Sequence, residues 1–117
     1  MKTCTDLIAE AKARIAELSA ADALALSSKG GVTFLDVRDQ QEVNLGRIPG
    51  AMHISRGNLE QKIEGAIARD ADVILYCGGG GRSALAADTL RQMGYAKVRS
   101  LAGGFRAWAE AGGDIDG

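Results

Sequence analysis

Val73-Ile74-Leu75-Tyr76 runs without a break into Cys77, four glycines, Arg82 and Ser83, and from there into a helical pattern. A short run of apolar and aromatic residues bounded by glycine reads as a buried strand. Val32 to Val37 (V-T-F-L-D-V), after Gly30-Gly31, reads the same way, and Lys97 to Leu101 is a third clear strand. Ala51 to Ile54 is shorter and weaker. Between these runs the period changes to that of helices. Asn58 to Arg69 places Leu59, Ile63, Ala66 and Ile67 on one face, and Arg82 to Met93 turns Leu85, Ala86, Leu90 and Met93 inward. Phe105 to Ala111 is a last helix, ended by Gly112-Gly113. Strands alternating with helices predict an α/β domain with a mainly parallel sheet flanked by helices on both faces.

The N-terminal segment, about residues 3–18, is predicted helical from Leu7, Ile8, Ala11, Ile15 and Leu18, with Thr3 and Asp6 as its cap. The stretch from Ile15 to Ser19 fits a short edge strand equally well. A second short helix starts at Ser19, with Asp22 in its first turn. A chain of 117 residues suits a single domain over 1–117, with this segment as an extra element.

Composition narrows the function classes. Lys and Arg number 14 against 15 Asp and Glu, which leaves no basic footprint for nucleic acid. No apolar run approaches a membrane span. Asp6, Glu10, Lys12 and Arg14 interrupt any signal-peptide core, so the expected location is the cytoplasm. Cys4 and Cys77 are far apart, there is no C-x-x-C pair, and His53 is the only histidine. Neither a structural disulfide nor a zinc site is expected.

In parallel sheets ligands bind beyond the carboxyl ends of the strands, which directs attention to Cys77-Gly78-Gly79-Gly80-Gly81-Arg82-Ser83. Glycines take positive φ without steric cost, so this loop can turn successive N–H groups inward as an anion nest. The helix after it adds its dipole and its unpaired first-turn N–H groups, and Arg82 adds a charge. All three favour thiolate over thiol at Cys77 and make it a nucleophile suited to an anionic substrate. A plain strand-to-helix turn needs one or two glycines, not four. The spacing fits neither a Walker A loop nor a dinucleotide G-x-G-x-x-G, which would need glycine at Ser83.

With these residues in view the chain resembles the single-domain rhodaneses, a sulfurtransferase family. The resemblance rests on Leu35-Asp36-Val37-Arg38 with Glu42 and Gly46, Arg47-Ile48-Pro49-Gly50-Ala51, Tyr76-Cys77-x-x-Gly80-x-Arg82-Ser83, Gly94-Tyr95, and Leu101-x-Gly103-Gly104-x-x-x-Trp108. These stand in order over nearly the whole chain. Val43 replaces the usual aromatic, Arg47 stands where many members have His, and the loop is barer than most. The resemblance implies that Cys77 carries a sulfane sulfur as a persulfide, with no metal or organic cofactor. Gly78 to Ser83 would bind the substrate. The implied activity is thiosulfate sulfurtransferase, with a small anionic sulfur donor and a cyanide or thiol acceptor, a protein acceptor included. A non-catalytic sulfur carrier or binding module is the alternative. A phosphatase is a third, but its loop has five residues between Cys and Arg, whereas Gly78 to Gly81 make four.

Asp36, Arg38 and Glu42 fall at the active-site edge. Asp36 or Glu42 would hold Arg82 or a loop N–H, or form a structural ion-pair network. His53, without a carboxylate cue, reads as a packing residue. Trp108 and Phe105 read as core in preference to a lid of the pocket, Cys4 as a free thiol, and Arg47 and Arg106 as solvated surface arginines, with attraction of an anionic donor as the alternative.

Overall fold

The computed structural model describes all 117 residues. The elements in order are α1 (Cys4–Arg14), β1 (Ala16–Leu18), α2 (Ala20–Lys29), β2 (Thr33–Asp36), α3 (Gln40–Asn44), β3 (Met52–His53), α4 (Leu59–Ala66), β4 (Val73–Tyr76), α5 (Gly81–Gln92), β5 (Val98–Leu101) and α6 (Gly104–Glu110). The five strands form one sheet in the order β1-β5-β4-β2-β3, with every pairing parallel.

Side chains alternate across a strand, and in β4 that alternation divides the residues between two cores. Val73, Leu75 and then Cys77 join one core cluster with Leu59 and Ile63 of α4 and Ala86, Ala87 and Leu90 of α5. Ile74 and Tyr76 join the opposite cluster with Ala23 of α2 and Trp108 of α6. Each wholly buried aliphatic side chain here contributes roughly 1.5–3 kcal/mol. Cys77 is thus the next step in the strand's alternation, which fixes the side of the sheet on which its sulfur lies. Trp108 is core, edge-on to Phe34 at 5.5 Å.

The helix expected over 3–18 ends at Arg14, and residues 16–18 are edge strand β1, paired to β5. Of those three residues only Leu18 is buried, so the sequence carries little strand signal there. Thr3 and Asp6 close a reciprocal cap on α1, and Ser19 caps α2 by accepting from the Asp22 amide at 3.1 Å. The helix expected at 58–69 stops at Ala66, because Ile67 turns extended and drops its side chain into the core. Helix α3 is an element the sequence does not announce; its five residues are too few to show a period.

α1 runs parallel to α5. At its middle, Ile8 lies over Gly81; at its end, Arg14 donates to Asp88 at 2.8 and 3.0 Å. Asp88 also accepts from Arg91 at 3.0 Å, and the two arginines hold its carboxyl down to about 2 against burial. Asp88→Asn should therefore lower stability by about 2 kcal/mol, the loss of charge-assisted bonds to a buried carboxylate. Proteolysis should cut α1 first. Urea unfolding and limited proteolysis check this, and wild-type resistance of α1 in the variant would contradict it.

Candidate functional site

β5, β4 and β2 are neighbours, so the segments after their carboxyl ends meet. They deliver the Cys77 loop with α5, the segment entering α6, and the segment entering α3. Cys77 is 1% exposed. Its Sγ accepts from the Gly80 amide at 3.1 Å and the Ser83 amide at 3.4 Å, and the Ser83 hydroxyl lies 3.5 Å away. Of the amides expected to line the nest, those two face the sulfur directly. Both belong to the start of α5, where the first-turn N–H groups lack helical partners and the dipole is positive.

Two features shape this cup. Gly80 sits at φ 101°, a left-handed conformation that turns its N–H back toward the sulfur. α6 docks end-on against the loop: the Phe105 amide donates to the Cys77 carbonyl at 2.7 Å and the Arg106 amide to the Gly78 carbonyl at 3.2 Å. A Cβ on Gly104 would lie 2.5 Å from the Cys77 carbonyl oxygen, so only glycine permits this approach.

Arg82 does not stand free beside the sulfur. Glu42 on α3 takes both its terminal nitrogens, at 2.7 and 3.0 Å. The same carboxylate accepts from the Asp39 amide at 3.2 Å, so it caps α3 while it holds Arg82. Glu42 in turn raises the Arg82 pKa, with a smaller contribution from Cys77. Arg82 holds the Glu42 carboxyl down to about 2.

Asp36 and Arg38 pair with each other instead. The pair is buried at 2.8 Å, and Arg38 also donates to the Gly46 carbonyl at 2.7 Å. The Arg38 guanidinium lies over the Phe105 ring at 4.5 Å, and neither residue bonds the Cys77 loop. His53 donates from Nε2 to the Arg38 carbonyl at 2.7 Å, and Cys4 is exposed on α1. Ser100, which the sequence reading does not single out, holds the Ser83 hydroxyl at 2.8 Å from β5. Its one signal is a serine between Arg99 and the buried Leu101 in the strand beside β4.

The Glu42 carboxyl has a folded-state pKa of about 2, below its ordinary 4.5. Its contribution to stability is therefore fully present above 4.5 and is lost as pH falls through about 2. In urea unfolding the gap between wild type and Glu42→Gln should be constant near neutrality and should close in acid. A gap that does not change with pH would show that the pair carries no such linkage.

Known proteins resemble this chain in sequence and fold. A family model for the rhodanese-like domain matches residues 19–111. A sulfurtransferase of Allochromatium vinosum is 36% identical over 87 residues, which is 74% of this chain and 80% of that protein. The thiosulfate sulfurtransferase GlpE of Tolumonas auensis is 33% identical over 91 residues, 78% of this chain and 85% of that one. A solved structure from Rhodopseudomonas palustris, described as of unknown function and a possible tyrosine phosphatase, superposes with a TM-score of 0.88 at 37% identity. That alignment covers 99% of this chain and 96% of that one. A parallel α/β sheet, a cysteine loop at its carboxyl edge and relatives named for sulfur transfer place this chain in the rhodanese-like domain family.

Proposed function

We propose that this protein is a sulfurtransferase that moves a sulfane sulfur from thiosulfate, or a related persulfide donor, to a thiol or cyanide through a persulfide on Cys77. The observation that carries the proposal is a buried sulfur at the end of β4 that accepts two amide hydrogen bonds at the start of α5. Both bonds strengthen as negative charge develops on the sulfur during reaction.

In the first step the Cys77 thiolate attacks the outer sulfur of thiosulfate. A new S–S bond forms, the donor's S–S bond breaks, and sulfite leaves with the bonding pair. The negative charge now sits on the terminal sulfur of the Cys77 persulfide, where the amides from Gly78 to Ser83 can bind it. In the second step cyanide attacks that terminal sulfur, thiocyanate leaves, and the Cys77 thiolate returns. A thiolate acceptor reacts in the same way and departs as a persulfide. Neither step changes net charge or calls for a metal or an organic cofactor. Arg82, tied to Glu42, fixes the far end of the loop.

Two features support sulfur over phosphoryl transfer. Gly78 to Gly81 leave four residues between Cys77 and Arg82, a tight cup for one sulfur atom. Arg82 gives both terminal nitrogens to Glu42, whereas a phosphoryl group presents three oxygens that need donors.

Incubation with thiosulfate should add the mass of one sulfur atom, and cyanide should remove it. Cys77→Ser should gain none, and its turnover should fall to background. If that variant gains sulfur as wild type does, Cys4 is the carrier and the proposal fails. If wild type hydrolyses p-nitrophenyl phosphate through Cys77 faster than it forms thiocyanate, the phosphatase reading replaces it. Stoichiometric loading without turnover identifies a carrier.

A further inference from the structure

The proposed donor is a dianion, and the arginine that the sequence places beside the nucleophile is already neutralised. Arg82 is held at both terminal nitrogens by Glu42. Arg38 is buried and divided between Asp36 and the Gly46 carbonyl. Backbone amides can hold one sulfur atom, but they supply no net charge to draw in thiosulfate or to stabilise departing sulfite.

The chain has nine arginines. Seven of them, at 14, 38, 56, 69, 82, 91 and 99, are engaged by carboxylates. Arg47 and Arg106 are exposed, and no side-chain hydrogen bond or ion pair holds either. Arg47 lies in the segment whose backbone pairs with Asp116. Arg106 lies against the nucleophile's loop, with its amide 3.2 Å from the Gly78 carbonyl oxygen. The neighbouring Gly79 is exposed, and a Cβ there would meet nothing within 4 Å, so the loop is open at that residue. An uncommitted guanidinium on a residue whose backbone is bonded to the nucleophile's loop has the charge and the planar fork suited to a sulfonate or sulfite group.

We infer that Arg106 is the residue through which this site recognises an anionic sulfur donor and so sets its donor specificity. The inference rests on the sulfur-transfer reading and assigns a part of that site. Arg106 does not take part in bond making at Cys77. It binds the donor's charged oxygens while the outer sulfur meets the thiolate, and its influence belongs to the loading half of the cycle. Unloading by a neutral thiol does not involve it.

The test separates the two halves. Loading of Cys77 by thiosulfate is followed by intact mass, and unloading of the preloaded protein by dithiothreitol is followed in the same way. Arg106→Ala should load about tenfold more slowly, because an uncompensated charge governs the approach of an anion. Arg106→Glu should load more slowly still, while Arg106→Lys should stay within about threefold of wild type. Added sodium chloride should slow wild-type loading and leave Arg106→Ala nearly unchanged. Dithiothreitol unloading should be the same in all four proteins, and Arg47→Ala should load as wild type does. In steady state Arg106→Ala should raise KM for thiosulfate and leave kcat close to wild type. Equal loading by wild type and Arg106→Ala, or an equal effect of Arg47→Ala, overturns the inference and leaves sulfur transfer standing. Failure of wild type to take sulfur from thiosulfate while a persulfide loads Cys77 also overturns it. Failure of every donor to load Cys77 removes the reading beneath it as well.

Discussion

The arrangement at Cys77 depends on the end-on contact of α6 with the loop after β4. The Phe105 and Arg106 amides take the Cys77 and Gly78 carbonyls at 2.7 and 3.2 Å. With those two carbonyls anchored outward, the loop curls the other way and its later amides meet the sulfur. Gly80, in the left-handed region, completes the reversal. The contact exists because Gly104 lacks a Cβ and because parallel β4 and β5 end side by side. The backbone thus prepares the site before any charged side chain contributes, and such preorganised donors are worth most where water is excluded.

The charges around the cup are used for fastening. Glu42 joins α3 to α5 through Arg82; Asp36 holds Arg38, whose guanidinium lies over the Phe105 ring of α6; Asp88 fastens α1 to α5 through Arg14. A buried pair such as Asp36 and Arg38 is weak evidence of net stabilisation, yet removing one partner strands the other at a cost of about 3–5 kcal/mol. Each of these pairs therefore specifies how elements meet more than it adds to the total stability. The presence or absence of a carboxylate partner likewise separates Arg82, which the sequence marks as the charge beside Cys77, from Arg106, which it leaves among the surface arginines.

Whatever rests on burial period and backbone permissiveness is legible in the sequence. β4, the glycine loop and α5 are readable because an apolar run, four glycines and a helical stripe succeed one another. α3 is not, since its five residues bury only Val43, and its one signal is Asp39 three residues before Glu42. β1 admits two readings because an edge strand of three residues with one buried side chain shows no alternation. Ser100 and the α6 contact are out of reach for another reason. Both are meetings across strands, between positions 17 residues apart for Ser83 and Ser100 and farther for Cys77 and Phe105, and no local pattern encodes them. The choice of Glu42 over Asp36 as the partner of Arg82 depends on the same tertiary placement.

The four glycines illustrate how one sequence signal divides into several causes. At Gly81 a Cβ would stand 2.9 Å from the Ile8 side chain, so the glycine there makes room for α1. At Gly80 it would stand 3.2 Å from the Gly103 amide, between the loop and the entry to α6. At Gly78 it would press within 3.3 Å on the Arg82 guanidinium that Glu42 holds in place. Each of these glycines answers to a different neighbour: the N-terminal helix, the last helix and the ion pair. Gly79 answers to none, with open space where its Cβ would be. Packing therefore bears on three of the four glycines, most firmly at Gly80, where the neighbour is backbone and φ is 101°, and at Gly79 the loop stands open.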